Sequence, residues 1–456
     1  MSITALGFWL LYILGVGAAV LAPLAGVLVY ILTYHMNPEY QWWGQSVRAA
    51  GLRTSMMIVV AIVMGLIIRR PRFAGIGRQF SAPIVFAVGL VLLALASLTW
   101  GYGISERGAY QAEKFTKVMI FVLILIRCVR HPNHYQAVIG AWIGGVLFVG
   151  YQAWGNVGVH ESGRLSLGIG GPDFSESGDL AAHMVASLPL IGAMFFMARR
   201  WWSRGILLVS GALAVNTIIL TRTRNALVAL AAMCVVAVFS LPRGQRLKGW
   251  LAIAVGGVLA VQLTDPGWWD RMATIVEHDD ASATARITYW HAAMAMSVDH
   301  PFGIGLGNFQ QVVKTYVPGL TIYRSAHNTY VECLAELGYL GLALLVMVLV
   351  ATLARLSHVR RESLALEPDL SIRVGLWESN FHLGWHTMAL RTALVGYLAS
   401  AAFTTRLCGE DFWILIGLAA CLVNVAAYMR HQAGQPSPVR TVTSEGILPD
   451  GAVRAT

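Results

Sequence analysis

The chain has 456 residues, of which 57% are hydrophobic and only 12% charged, with a mean hydropathy of +0.62. That is more apolar surface than a soluble protein of this length buries, which excludes an ordinary soluble fold and places the chain in a bilayer. The formal net charge of +10 falls in clusters between apolar runs, the pattern of membrane topology and of contact with anionic lipid rather than of nucleic-acid binding.

In hydrocarbon every backbone N–H and C=O must be satisfied within its own segment, so apolar runs of roughly 17–25 residues predict spanning helices. In chain order the runs are 6–34, 51–68, 81–99, 114–130, 135–151, 177–198, 205–220, 225–241, 249–264, 328–354, 389–405 and 411–429, about twelve in all. The first is long enough for a strongly tilted helix or a short re-entrant pair. The fourth carries Lys114, Lys117 and Arg127 and is the most polar. The organisation expected is an all-α integral membrane protein in four parts. Nine spans with short loops occupy 1–264 and a helical cap 265–327. Three spans with a cytoplasmic loop fill 328–430, and a polar tail over 431–456, with Pro436 and Pro438, reads as disordered.

Basic loops stay on the cytoplasmic side. Arg69, Arg70, Arg72 and Arg78; Arg127 and Arg130; Arg199, Arg200 and Arg204; Arg243, Arg246 and Lys248; and Arg355, Arg360, Arg361 and Arg373 all fall on one side with these spans, and both termini are expected there. Acids such as Glu106, Asp173, Glu176, Asp179, Asp299 and Asp411 fall on the other. The first eight residues lack the basic start of a cleavable leader. The five cysteines have no paired spacing, so neither a disulfide framework nor a zinc site is expected.

The outer cap has Trp268 and Trp269 as interface anchors, helical apolar spacing over 284–297 and a glycine-rich turn, PFGIGLGNF, over 301–309. GIGLG lacks the preceding strand and following Lys of a phosphate loop, so a flexible turn is the expectation. Cations gather on this side: Arg164, Arg222 and Arg224 of TRTRN, Arg286, Lys314, Arg324 and His327. An arginine at a span end ordinarily snorkels to the interface, and a histidine at a helix start ordinarily caps or packs. Arg222 and Arg224 run against the positive-inside bias. Glu332 and Glu336, spaced i, i+4, put two carboxylates on one face of an apolar helix, where a carboxylate is functional or paired with a cation.

HPFGIGLGNF (300–309) followed by SAHNTYVECLAELGYLGL (325–342) resembles the signature of the O-antigen ligase and polymerase superfamily. TRTRNALVAL (221–230) is similar to its Thr-x-Ser-Arg-Gly-Ala segment, and RITYW (286–290) to its Arg followed by Trp. GGPDFSESGDLAAHM (170–184) resembles a loop that usually reads Asn-Pro-Asn, so the likeness covers roughly 160–345. Thr223 and Asn225 replace the usual Ser and Gly, leaving open whether Arg222 or Arg224 binds phosphate, and Gly171-Pro172-Asp173 stands for Asn-Pro-Asn.

The resemblance implies a GT-C-like architecture of about 12 transmembrane helices with a helical periplasmic cap, in the bacterial inner membrane. It implies transfer of a glycan from undecaprenyl diphosphate to an acceptor hydroxyl: lipid A-core in the ligase branch, which fits best, a growing chain in the polymerase branch, or a protein. Arginines bind phosphate oxygens bidentately and stay charged, and no Asp-x-Asp metal site stands on the outer side, so no cofactor and no metal are expected. Arg222, Arg224, Arg286 and Arg164 are the expected diphosphate ligands. His327 is the expected base, kept neutral by neighbouring arginines, with Glu332 orienting it. Asn328, Arg324 and Asp411 are expected in support, and Glu410 or Asp411 is a rival base. A secondary transporter would also have about twelve spans, but no two-half repeat is visible and the polar residues gather at one face.

Overall fold

The computed structural model describes residues 2–51, 53–69, 81–155, 164–165, 169–264, 267–269, 281–319, 324–366, 372–374 and 379–433. The expected tail beyond 433 and the cap residues 265–266, 270–280 and 320–323 lie outside them.

The first apolar run makes two helices. Pro23 has no N–H to donate and a fixed φ, so it ends one helix and suits the first turn of the next. α1 (Ile3–Leu21) and α2 (Pro23–Met36) fold back on each other, with Gly15 against Val29 and Ala19 against Gly26. Beyond the short α3 (Gln45–Ala50), α4 (Thr54–Arg69) lies against both. Tyr12 donates to the Thr54 carbonyl at 2.6 Å, and Gly65 sits on the carbonyls of Ala19 and Val20. α1 therefore runs parallel to α4, and α2 antiparallel to both.

Then follow α5 (Ala82–Ala96), α6 (Glu106–Cys128), α7 (Pro132–Gly155), α8 (Ser177–Met197), α9 (Trp201–Thr221), α10 (Arg224–Ser240) and α11 (Arg246–Leu263). α12 (Ala281–Asp299) and α13 (Phe309–Tyr316) belong to the cap. The bundle ends with α14 (Thr329–Leu366), α15 (Leu383–Ala401) and α16 (Glu410–Ala433). Between α14 and α15 a two-stranded antiparallel ribbon, β1 (Ile372–Val374) and β2 (Ser379–Phe381), pairs Arg373 with Asn380, a small departure from the all-α expectation. The core is apolar and aromatic, with Trp142, Trp413, Tyr135, Phe115 and Phe121 fully buried.

Among the described residues, seven helices are long and apolar enough to cross a membrane: α1, α5 with its extension to Thr99, α7, α8, α9, α14 and α16; α4 and α10 are shorter apolar helices. The runs 114–130, 249–264 and 389–405 correspond to α6, α11 and α15. The doubling back at Ala22 makes the first run a helix pair, one of the two forms the sequence reading left open. It also places the start of α1 at the end of the bundle where α4 starts, whereas α16 finishes at the opposite end. The expectation that both termini share one side therefore fails for the N-terminal one. The described members of all five basic clusters sit at the end where α16 finishes: Arg360 at the end of α14 bonds the Ser240 carbonyl at the end of α10, and Arg430 pairs with Glu362.

The glycine-rich turn is docked, not loose. α14 breaks at Gly338, whose φ of 68° and ψ of −169° are open only to glycine, and a Cβ there would lie 2.2 Å from the Pro301 carbonyl. The break frees the carbonyls of Ala335 and Glu336, which accept the N–H groups of Ile304 and Gly305 at 3.0 Å. On its other side the turn bonds Ser97, Tyr102, Ser105 and Gly103 near the start of α6. GIGLG thus holds the cap to two helices, which is why each of its glycines has a positive φ.

Candidate active site

At the end of the bundle away from the basic clusters a cavity of about 290 Å³ opens beneath the cap, and His327 stands in its wall. The segment before α14 delivers this residue by three fixed contacts. The Ala326 N–H donates to Glu332 at 2.8 Å, the Ala326 carbonyl accepts from the Trp290 indole at 2.9 Å, and the Asn328 side chain accepts the N–H groups of Tyr330 and Val331, capping α14. Held from both sides, His327 takes a left-handed φ of 47°, which costs a non-glycine residue on the order of 1–3 kcal/mol. Arg222, also singled out from the sequence, has the same φ.

Half-buried, His327 is pushed below its ordinary pKa first by desolvation; Glu176 pulls it up, and the charges of Arg286, Arg324 and Arg107 push it further down. The imidazole is therefore neutral around pH 7, as a proton acceptor must be. Glu332 pins the backbone next to His327: buried, it accepts from Ala326 and from the Thr405 hydroxyl at 2.7 Å and lies 3.8 Å from Arg107. Its partner on the same face, Glu336, accepts the Phe309 N–H at 3.1 Å and so pins the cap turn. Asn328 is a helix cap, the ordinary role for such a residue.

Deeper lies a cluster that the sequence reading missed. Arg406, buried, donates through Nε to the Tyr397 hydroxyl at 3.0 Å and through Nη1 to the Asp173 carbonyl at 2.9 Å; it pairs with Asp179 at 3.1 Å and bonds Asp411. Lys114 of α6 pairs with Asp173 at 2.6 Å, which ties the polar first half of this helix to the loop before α8. Burial works against the charge of Asp173, but Lys114 and Arg406 outweigh it and hold the carboxyl below its usual range. Asp173 also accepts from Tyr34, and His183 of α8 reaches His35 at 3.2 Å and Asp411 at 3.4 Å. Arg406 and Asp173 stand outside the helices, among the acids expected on this side, and an arginine there runs against the same bias that drew notice to TRTRN.

The expected residues do not form one group. His327, Glu332, Arg286 and Arg324 belong to the mouth, joined by Arg107 of α6. Arg164 donates to the Thr221 carbonyl at 3.1 Å and to Ser177 at 3.3 Å, beside Arg222 and Arg224 at the turn between α9 and α10. The two sets meet across the start of α8: Glu176 faces His327 and Ser177 faces Arg164. Asp411 and Glu410, the rival bases, are turned away. Neither lines the cavity; Asp411 is fully buried against Arg406 and Tyr397, and the Glu410 N–H donates to Asp173.

Residues 209–346 match the family model described as O-antigen ligase. The match spans TRTRN, the cap, His327, Glu332 and the break at Gly338, and stops short of Arg107, Lys114, Asp173 and Arg406. No curated protein matches the chain. Over those residues the chain is similar to O-antigen ligases, and its long apolar helices are those of a membrane protein.

Proposed function

We propose, for a chain whose residues 209–346 match the O-antigen ligase family, that it transfers a glycan from undecaprenyl diphosphate to an acceptor hydroxyl, with lipid A-core as acceptor, at the periplasmic face of the bacterial inner membrane. The observation that carries the reading is a depressed, half-buried histidine held in a strained backbone at the mouth of a polar cavity and faced by three arginines. The periplasmic side is inferred from the basic clusters, which gather at the opposite end of the bundle as cytoplasmic clusters do.

The chemistry is a single inverting displacement. His327 takes the proton of the attacking hydroxyl as its oxygen bonds the anomeric carbon; the bond from that carbon to the diphosphate breaks, and the diphosphate leaves with the electron pair. Arg286, Arg324 and Arg107 stabilise the developing charge, each contributing a few kcal/mol in a water-poor site, with Arg222, Arg224 and Arg164 as a second anchor for the carrier. Arginine charge fills the part that a divalent ion takes in many glycosyl transfers, so the reaction is proposed to be metal-independent.

The test is an assay of purified protein with carrier-linked glycan and lipid A-core in EDTA, read by gel mobility. Glycan on the core, lost in His327→Ala, supports the ligase. Chains that lengthen on the carrier while the core stays bare would make the protein a polymerase, and uptake of a labelled solute by proteoliposomes without product would make it a transporter.

A further inference from the structure

The buried polar atoms facing the cavity have one character. Among the described residues, three of them have no hydrogen-bond partner, and all three are acceptors: Gln111 Oε1, Asp179 Oδ1 and Glu332 Oε1. Glu332 is 3% exposed, and its nearest cation, Arg107 at 3.8 Å, is beyond hydrogen-bonding reach. The deep donors are already committed. Lys114 pairs with Asp173, and Arg406 with Tyr397, Asp173, Asp179 and Asp411; of the charged side chains lining the cavity, Arg107, Lys114 and Arg406 are outnumbered by Asp173, Glu176, Asp179, Glu332 and Glu336. A diphosphate brings acceptors and negative charge, which is what this wall already has in excess. A group rich in O–H donors satisfies it.

We infer that the cavity beside His327 is a subsite for one sugar ring, recognised through hydroxyls donated to Gln111, Asp179 and Glu332, and that the diphosphate rests outside it on the arginines of the mouth. The inference rests on the transfer reading above and deepens it. At about 290 Å³ the space is at the lower end of small-molecule pockets, roughly 300–1,000 Å³, which suits a single ring and not an oligosaccharide. Two rings present this chemistry: the acceptor's terminal sugar and the first sugar of the donor.

The test uses the full chain in nanodiscs, with a panel of methyl glycosides of neutral hexoses and heptoses as probes, saturation-transfer NMR as readout and inorganic pyrophosphate as competitor. At least one glycoside binds, pyrophosphate does not displace it, and Gln111→Leu weakens it by about 2- to 10-fold, the worth of one hydrogen bond. The Gln111 side-chain oxygen has no partner among the described residues, so this variant keeps the fold; Asp179→Asn, which conserves shape, weakens the same probe. Absence of any glycoside signal, displacement by pyrophosphate, or unchanged binding in Gln111→Leu overturns the subsite. In the transfer assay, a KM raised only for the core acceptor in Gln111→Leu identifies the acceptor's ring, and one raised only for the donor identifies the donor's first sugar; unchanged KM for both overturns the subsite. Glycoside binding by a wild-type protein that transfers nothing would remove the transferase reading and leave the subsite standing.

Discussion

The mouth and the floor of the cavity are both rich in arginine, and they use it differently. At the floor, every nitrogen of Arg406 has an acceptor, and the guanidinium ties α16, α15 and the loop before α8 into one piece. At the mouth, Arg107, Arg286 and Arg324 act on one imidazole and are opposed there by Glu176. Charge locked into buried ion pairs builds structure, whereas charge that bears on a titrating side chain sets its protonation. Substitution should separate the two. Arg406→Ala leaves Asp411 and Asp179 buried without their arginine, a loss on the order of 3–5 kcal/mol. Its thermal unfolding in detergent should fall sharply, with assembly and activity lost together.

At the mouth the opposite pattern is expected. His327→Ala should reduce transfer by about 10²–10⁴-fold, the usual share of a general base, while the melting profile stays near wild type. His327→Asn tolerates the left-handed backbone and checks that the loss is chemical and not conformational. Transfer by either variant at the wild-type rate would remove the histidine from the mechanism and make it one more residue of the cap.

The difference between the two regions also accounts for what was legible in the sequence. Arg222 and Arg224 were visible because they break the positive-inside bias, and His327 and Arg286 because they stand in short segments that resemble the family's. The pairing of Glu332 and Glu336 was visible as a spacing, although not their work as pins for Ala326 and Phe309. The floor was not legible, because its members come from three stretches more than fifty residues apart: Lys114, the pair Asp173 and Asp179, and Arg406. Each alone reads as an interfacial charge, and only the fold shows which carboxylate answers which cation. The same limit hid the hairpin of α1 and α2: Pro23 marks a permitted break, but its effect on the placement of the N-terminus depends on packing against Thr54 and Gly65.

A smaller effect tests the frame that holds the histidine. Asn328→Ala removes the cap of α14 and should cost about 1 kcal/mol of stability, with a modest fall in kcat, since Glu332 and Trp290 still hold Ala326. A loss of transfer as deep as that of His327→Ala, without a change in melting, would give Asn328 a direct part in the chemistry.

The finest distinction lies in pH dependence. Neutral His327 is the working form, so kcat/KM falls as pH drops through its pKa, which desolvation, Arg286, Arg324 and Arg107 lower and Glu176 raises. Arg286→Gln removes a charge that favours the neutral form, so the pKa rises and the acid limb moves to higher pH. Glu176→Gln removes the opposing charge, so the limb moves to lower pH. Each displacement should be at most about one unit, equal to 1.36 kcal/mol of interaction between charge and imidazolium. The amplitude of kcat/KM also falls in Arg286→Gln because the leaving diphosphate loses a ligand, but amplitude and limb position are read independently from one profile. Only a group standing between these two charges moves in opposite directions in the two variants; limbs that shift the same way, or not at all, would assign the titration to a residue other than His327.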